Sequence, residues 1–277
     1  MCTLDGCGSH RDMPPIPLAE TDRRAFLAGT MALPLATVLA FPDLAHAQAA
    51  RLEPVNVTTK TGGKVSGVIA MPKQLPAPAV ILIHEWWGLN DQIKSVAAEL
   101  AEQGYIALAV DLYGGTVARS PDEAQAAMKA VDSKEATESL AGAVDYLRGH
   151  KDSTGKVGTV GWCFGGGWSL NTALAAPVDA CVVYYGSVAK KAGELQNLHC
   201  PVLGQFGTED DHINKEMVEG FEAELKKAGK SELFTAYWYD ADHAFANPTG
   251  ARYDAEDAKL AWDRTTEFLH QYLSARS

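Results

Sequence analysis

The stretch GWCFGGG, residues 161–167, follows the apolar run VGTV and opens a segment of helical character. A cysteine between a strand and three glycines has two readings. Cys163 is a small buried hydrophobe, as free cysteines often are, or a nucleophile on a tight strand-to-helix turn. Gly161-Trp162-Cys163-Phe164-Gly165 fits the G-x-S-x-G nucleophile elbow with cysteine for serine, in the strand-then-helix context that the elbow requires. The nucleophile of such a turn takes a strained backbone, and small neighbours let strand and helix approach closely. Gly165, Gly166 and Gly167 are poor residues for starting a helix, so they need a close-packing reason.

Outward from the elbow, strand and helix patterns alternate. VNVTTK (55–60) and KVSGVIAM (64–71) read as a hairpin around Thr61-Gly62-Gly63. AVILIHE (79–85) and YIALAVDLY (105–113) are near-continuous apolar runs, as buried parallel strands show. KVGTVGW (156–162), ACVVYYG (180–186), PVLGQFG (201–207) and ELFTAYWY (232–239) are further strands. Helices are predicted over 91–103, 121–131, 134–149, 163–175 and 214–228, with a last one carrying Ala261, Thr265, Phe268, Leu269 and Tyr272 at helical spacing. Ser120-Pro121 is placed as N-cap and first residue of its helix. The order predicts one α/β domain with a doubly wound, mostly parallel sheet and an N-terminal β-hairpin.

Composition agrees with a packed enzyme-sized domain: of 277 residues, 47% are hydrophobic and 21% charged, which excludes a fully disordered chain. The net charge of −11 argues against nucleic acid as a partner. Neither G-x-G-x-x-G nor a Walker A pattern is present, so nucleotide use has no support.

The first 50 residues do not read as fold. TDRRAFLAG (21–29) holds the twin arginine Arg23-Arg24, an apolar run continues to Phe41, and Ala45-His46-Ala47 is a small-x-small cleavage pattern. This predicts a twin-arginine signal over residues 1–47, use of the twin-arginine translocation machinery, and a periplasmic or secreted mature domain over 48–277. The run is too short and too weakly apolar for a stable membrane anchor. Cleavage would remove Cys2 and Cys7 and leave Cys163, Cys181 and Cys200. Cys181 and Cys200 are expected as two buried thiols; if a pair forms, it is theirs.

An elbow nucleophile needs an acid and then a histidine in chain order. Gly207-Thr208-Glu209-Asp210 follows one strand and Asp240-Ala241-Asp242-His243 follows the last, at the strand ends where catalytic groups of open α/β sheets sit. Asp210 is the first choice of acid, with Asp211 and Glu209 as alternatives, and His243 is the base. His212 among Glu209, Asp210 and Asp211 has no second histidine at a metal-ligand spacing, so a solvated acidic loop is the better reading. His199 and His270 read as surface residues, and His84 as support for the neighbouring turn rather than as a reacting group.

With HEWWGLN (84–90), DLYGG (111–115), KVGTVGWCFGGG (156–167), YYG (184–186), GTEDD (207–211) and HAFANP (243–248), the chain resembles the dienelactone hydrolase family of α/β-hydrolases over about residues 55–273. The resemblance implies hydrolysis of carboxylic esters or lactones with no cofactor and no metal. It implies Cys163 as nucleophile, His243 and Asp210 as its partners, and Glu85 as an accessory carboxylate beside the thiol. It also implies an oxyanion hole from the backbone N–H groups of Trp86 and Phe164. A carboxylate ~4 Å from the sulfur would outweigh the help of a helix N-terminus, which predicts a resting Cys163 that keeps its proton.

Members that hydrolyse the anionic dienelactone carry two arginines where this chain has Gly115 and Asn247. Neither replacement is charged, so neutral esters or lactones are expected as substrates, unless Arg119 or Arg252 substitutes. Trp87, Tyr113, Phe245 and Asn247, with Trp86, are the expected pocket lining, and residues 114–132 a flap over it. The alternatives are a broad carboxylesterase without lactone preference and a non-catalytic binding protein of the same fold. No C-x-x-C motif supports a redox role.

Overall fold

The computed structural model describes residues 18–58 and 63–274. Its centre is an eight-stranded sheet. The first three strands are β1 (Glu53–Thr58), β2 (Lys64–Ala70) and β3 (Ala77–Ile83), followed after a helix by β4 (Ile106–Val110). Then come β5 (Ser153–Trp162), β6 (Ala180–Tyr184), β7 (Val202–Gly207) and β8 (Phe234–Tyr239). The spatial order is β1-β2-β4-β3-β5-β6-β7-β8. β1 and β2 pair antiparallel, β2 meets β4 antiparallel, and every later pair is parallel. The expected hairpin is therefore present, although Thr61 and Gly62 of its turn lie outside the described residues.

The central strands are apolar on both sides because both sides are covered. In β3, Ile81 and Ile83 enter one core while Val80 and Leu82 enter the other. Helices α6 (Ser133–Arg148), α7 (Phe164–Ala175) and α9 (Lys215–Ala228) cover the first face with Leu140, Leu170 and Phe221. Helices α4 (Asp91–Glu102) and α10 (Ala255–Leu273) cover the second with Ile93, Leu100, Ala261 and Leu269. Burying each of these leucine, isoleucine and phenylalanine side chains stabilises the fold by ~1.5–3 kcal/mol. Helix α5 (Pro121–Ala130) starts at Ser120, whose Oγ accepts from Glu123 N–H at 3.2 Å, as expected. The short α8 (Ala192–Leu195) is not legible as a periodic pattern, being a single turn.

The described residues before β1, from residue 18 on, are largely helical. They form α1 (Glu20–Leu27), α2 (Leu35–Ala40) and α3 (Pro42–Ala49), which bury Phe26, Val38, Leu39 and Leu44 together. Helix α3 lies against α4, with His46 Nδ1 3.0 Å from Asp91 Oδ2 and Arg51 donating to Phe26 O at 2.7 Å. The physical reason is that an apolar run too short to span a membrane still has surface to bury, and the outer face of α4 accepts it. No helix among the described residues is long and apolar enough to cross a membrane.

At the N-terminal ends of the parallel strands, Asp179 accepts from Arg148 at 2.8 Å, Lys156 at 2.6 Å and Val157 N–H at 3.0 Å. Burial pushes its carboxyl up, but Lys156, Val157 N–H and Arg148 together hold it below the usual carboxylate range. A carboxyl lowered in the folded state stabilises the fold above its unfolded pKa of about 3.9, and that contribution is lost as pH falls through the folded value. Asp179→Asn is expected to cost about 1.5–3 kcal/mol, or several °C in Tm, at pH 7 and progressively less below about pH 4. Thermal melts of both proteins across pH check this.

Candidate active site

Strand β5 ends at Trp162 and α7 begins at Phe164, leaving Cys163 alone on the turn. Its backbone sits at φ 54°, ψ −115°, where side chains are disfavoured. The position is pinned: Cys163 N–H donates to Tyr184 O at 3.0 Å, and Cys163 O accepts from Gly166 N–H at 3.0 Å. The glycines are needed because backbone passes where a Cβ would be. At Gly161 an added Cβ would lie 1.9 Å from Gly165 O, and at Gly165 it would lie 2.1 Å from Ile83 O.

Cys163 Sγ stands 3.2 Å from His243 Nε2, and His243 Nδ1 stands 2.6 Å from Asp210 Oδ2. Of the three candidate acids, Asp210 is the one whose carboxylate meets the ring. Asp210 Oδ1 accepts from the N–H groups of His212 at 2.8 Å and Ile213 at 2.9 Å, which fixes the carboxylate. Burial raises the Asp210 carboxyl, but His243 and these two N–H groups bring it below the usual range. At His243 burial opposes the charge, yet Cys163 and Asp210 lift the imidazole to about 10.

Glu85 is buried, with Tyr185 OH donating to Oε1 at 3.1 Å and Asn247 Nδ2 donating to Oε2 at 2.5 Å. Burial raises its carboxyl, against the pull of His243, Tyr185 and Asn247. The sequence expectation set Glu85 against the sulfur and left the proton there. In the structure the sulfur faces His243, while the Glu85 carboxylate is held by Tyr185 and Asn247. Tyr185 went unassigned in the sequence; its only signal was the YYG stretch. His84 behaves as expected: its Nε2 accepts from Leu112 N–H at 3.1 Å, so Nδ1 donates to Glu85 O at 2.6 Å. Burial lowers its pKa and keeps it neutral.

The site opens into a cavity of about 870 Å³. Trp86, Trp87 and Asn247 line it as expected, together with Val117, Met128 and Phe164. Two expected lining residues do not. Phe245 is fully buried, packed edge-on to Tyr185 and against Tyr239, because the β8 loop turns it inward to the core. Tyr113 lies behind the wall, between His84 and Phe164. Residues 117, 118 and 128 of the expected flap segment form part of the wall. Arg119 is exposed and outside the lining, whereas Arg252 lines the cavity and donates to Asp242 Oδ1 at 2.9 Å. His212 also lines it, which the sequence reading missed. Cys181 and Cys200 are buried free thiols, and burial pushes Cys181 up to about 11. No cluster of side chains suited to a metal ion occurs among the described residues.

A family model described as the dienelactone hydrolase family matches residues 65–273. The chain belongs to the dienelactone hydrolase family. It is a carboxylic ester hydrolase with the α/β-hydrolase fold. A carboxymethylenebutenolidase of Pseudomonas putida is 30% identical over 232 residues, covering 78% of this chain and 95% of that relative. The Aquifex pyrophilus protein named usf is 33% identical over 227 residues, covering 78% and 96%. A solved structure from Klebsiella pneumoniae, assigned to the dienelactone hydrolases, has a TM-score of 0.68 at 26% identity over 80% of this chain and 98% of that one. Within this dienelactone hydrolase framework the two uncharged replacements have other partners. Asn247 holds Glu85, while Gly115 N–H donates to Asp111 Oδ2.

Proposed function

We propose that this hydrolase cleaves neutral carboxylic esters or lactones through a thioester on Cys163. The reading is carried by the unbroken contact from Cys163 Sγ to His243 to Asp210, at 3.2 and 2.6 Å. His243 takes the thiol proton, and the sulfur attacks the carbonyl carbon. The oxygen that gains the electron pair is stabilised by the N–H groups of Trp86 and Phe164. Phe164 opens α7, where the first-turn N–H groups have no helical acceptor. Collapse expels the alcohol oxygen, which His243 protonates. Water, deprotonated by His243, then attacks the thioester and frees the acid and the thiol. Asp210 orients the ring, and Glu85, held by Tyr185 and Asn247, tunes the charge near the sulfur.

The largely apolar lining, the uncharged Asn247 and Gly115, and the engagement of the lining Arg252 by Asp242 support neutral substrates. A neutral aryl ester is expected to exceed a carboxylate-bearing ester of matched reactivity by about tenfold or more in kcat/KM, since an unpaired charge brought to such a wall loses well over 1 kcal/mol. A preference for the anion would overturn this. A second reading, a carboxylesterase with no lactone preference, is favoured by the size of the cavity.

Residues 1–47 serve, in the same proposal, as a twin-arginine export signal, and the domain over 48–277 works in the periplasm or outside the cell. Arg23-Arg24 and the Ala45-His46-Ala47 pattern support this. Substituting both arginines by lysine is expected to retain the enzyme in the cytoplasm with residues 1–47 attached. Fractionation followed by N-terminal sequencing tests it, and export of the double variant at the wild-type level would refute it.

A further inference from the structure

Most polar side chains of the cavity are already occupied by the protein itself. Asn90 Oδ1 accepts from Ile93 N–H, Asn247 joins Glu85 to Thr249, and Arg252 donates to Asp242. His212 and Ser187 differ. Both line the cavity, both are exposed, and neither side chain has a hydrogen-bond partner among the described residues. They follow β7 and β6, adjacent parallel strands, so they stand at the same edge of the sheet. His212 is fixed by its backbone, since its N–H is one of the two that Asp210 Oδ1 accepts. Its ring lies perpendicular to that of His243, with centroids 6.2 Å apart.

That position identifies the part of the substrate it meets. His243 returns its proton to the departing alcohol oxygen, so the alcohol portion must lie beside His243. The acyl oxygen points the other way, toward Trp86 and Phe164. The group next to His243 on the cavity wall is therefore next to the alcohol. The same loop carries Glu209 and Asp211, which oppose an anion there. A neutral group that both donates and accepts fits an imidazole and a serine hydroxyl together.

We propose that His212 and Ser187 form an alcohol-side subsite that selects esters of hydroxyl-bearing, polyol-like alcohols. The inference rests on the acyl-transfer reading above and adds the identity of the leaving group. A hydrogen bond at such a half-open wall is worth about fivefold to tenfold in kcat/KM.

The test compares 2-hydroxyethyl butyrate with propyl butyrate, which have the same acyl group and nearly the same size. Wild-type enzyme is expected to favour the hydroxyethyl ester about fivefold to tenfold beyond the ratio shown by the double variant His212→Phe/Ser187→Ala. His212→Gln, which keeps a donor and an acceptor, is expected to retain most of the preference. Equal ratios in wild type and double variant, with both esters cleaved through Cys163, overturn the subsite and leave the acyl-transfer reading intact. Absence of any butyryl group on Cys163 in quenched mass spectra, together with turnover unaffected by Cys163→Ala, overturns both.

Discussion

Cys163→Ala is expected to lower kcat on any ester substrate by roughly 10⁴–10⁶, the loss seen when a nucleophile is removed from a triad that works as a unit. Rapid mixing with p-nitrophenyl acetate is expected to give a burst of one equivalent from wild type and none from the variant. Intact mass measured after quenching is expected to show one acetyl group on wild type alone. The size of the loss follows from the geometry: without the sulfur, the imidazole 3.2 Å away has only water to activate. The variant's fold is expected to be unchanged, because alanine fills less space on a turn already open to the cavity. Activity above a tenth of wild type would mean that the chemistry lies elsewhere.

The second large effect is on stability. Gly165→Ala places a Cβ 2.1 Å from Ile83 O and 2.5 Å from His84 O. These are backbone atoms at the end of β3, a strand hydrogen-bonded on both edges to β4 and β5, so they cannot retreat. A loss of about 3 kcal/mol or more is expected, with a fall in Tm on the order of 10 °C. Gly167→Ala is the matched control. Its added Cβ would come no closer than 3.5 Å, to Ser187 O, and alanine gains ~1 kcal/mol of helix propensity over glycine. Thermal melts of the two variants should therefore move in opposite directions. A Gly165→Ala protein melting within about 2 °C of wild type would show that the turn has room that the close approach denies.

Much of this architecture is legible in the sequence because its signals are local. A short continuous apolar run with β-branched residues, such as AVILI, is what a strand covered on both faces shows, and the structure covers both faces of β3. The elbow and the order acid-then-histidine point to Cys163, Asp210 and His243, which the structure brings together, because each lies on the turn or loop that follows a strand. What stayed hidden depends on side-chain direction. Phe245 lies two residues beyond His243 and yet points into the core, and no periodicity exists in a loop to say so. The engagement of Glu85 by Tyr185 and Asn247 joins residues 100 and 162 positions away, pairings that single-sequence spacing does not carry. In the sequence His212 reads as one of several polar residues in a solvated acidic loop. It lines the cavity on a turn where Asp210 accepts its N–H with one carboxylate oxygen and meets His243 with the other, a long-range arrangement that local spacing does not carry.

The backbone at Cys163, at φ 54° and ψ −115°, has a consequence for how such a scaffold can change. A non-glycine residue in so sparsely populated a conformation burdens the native state by about 1–3 kcal/mol. Glycine at that site would relieve the burden and abolish the reaction. Selection for heat tolerance alone would thus drift toward a sturdier, inert relative of this protein, and only continued demand for turnover keeps the sulfur on its bend.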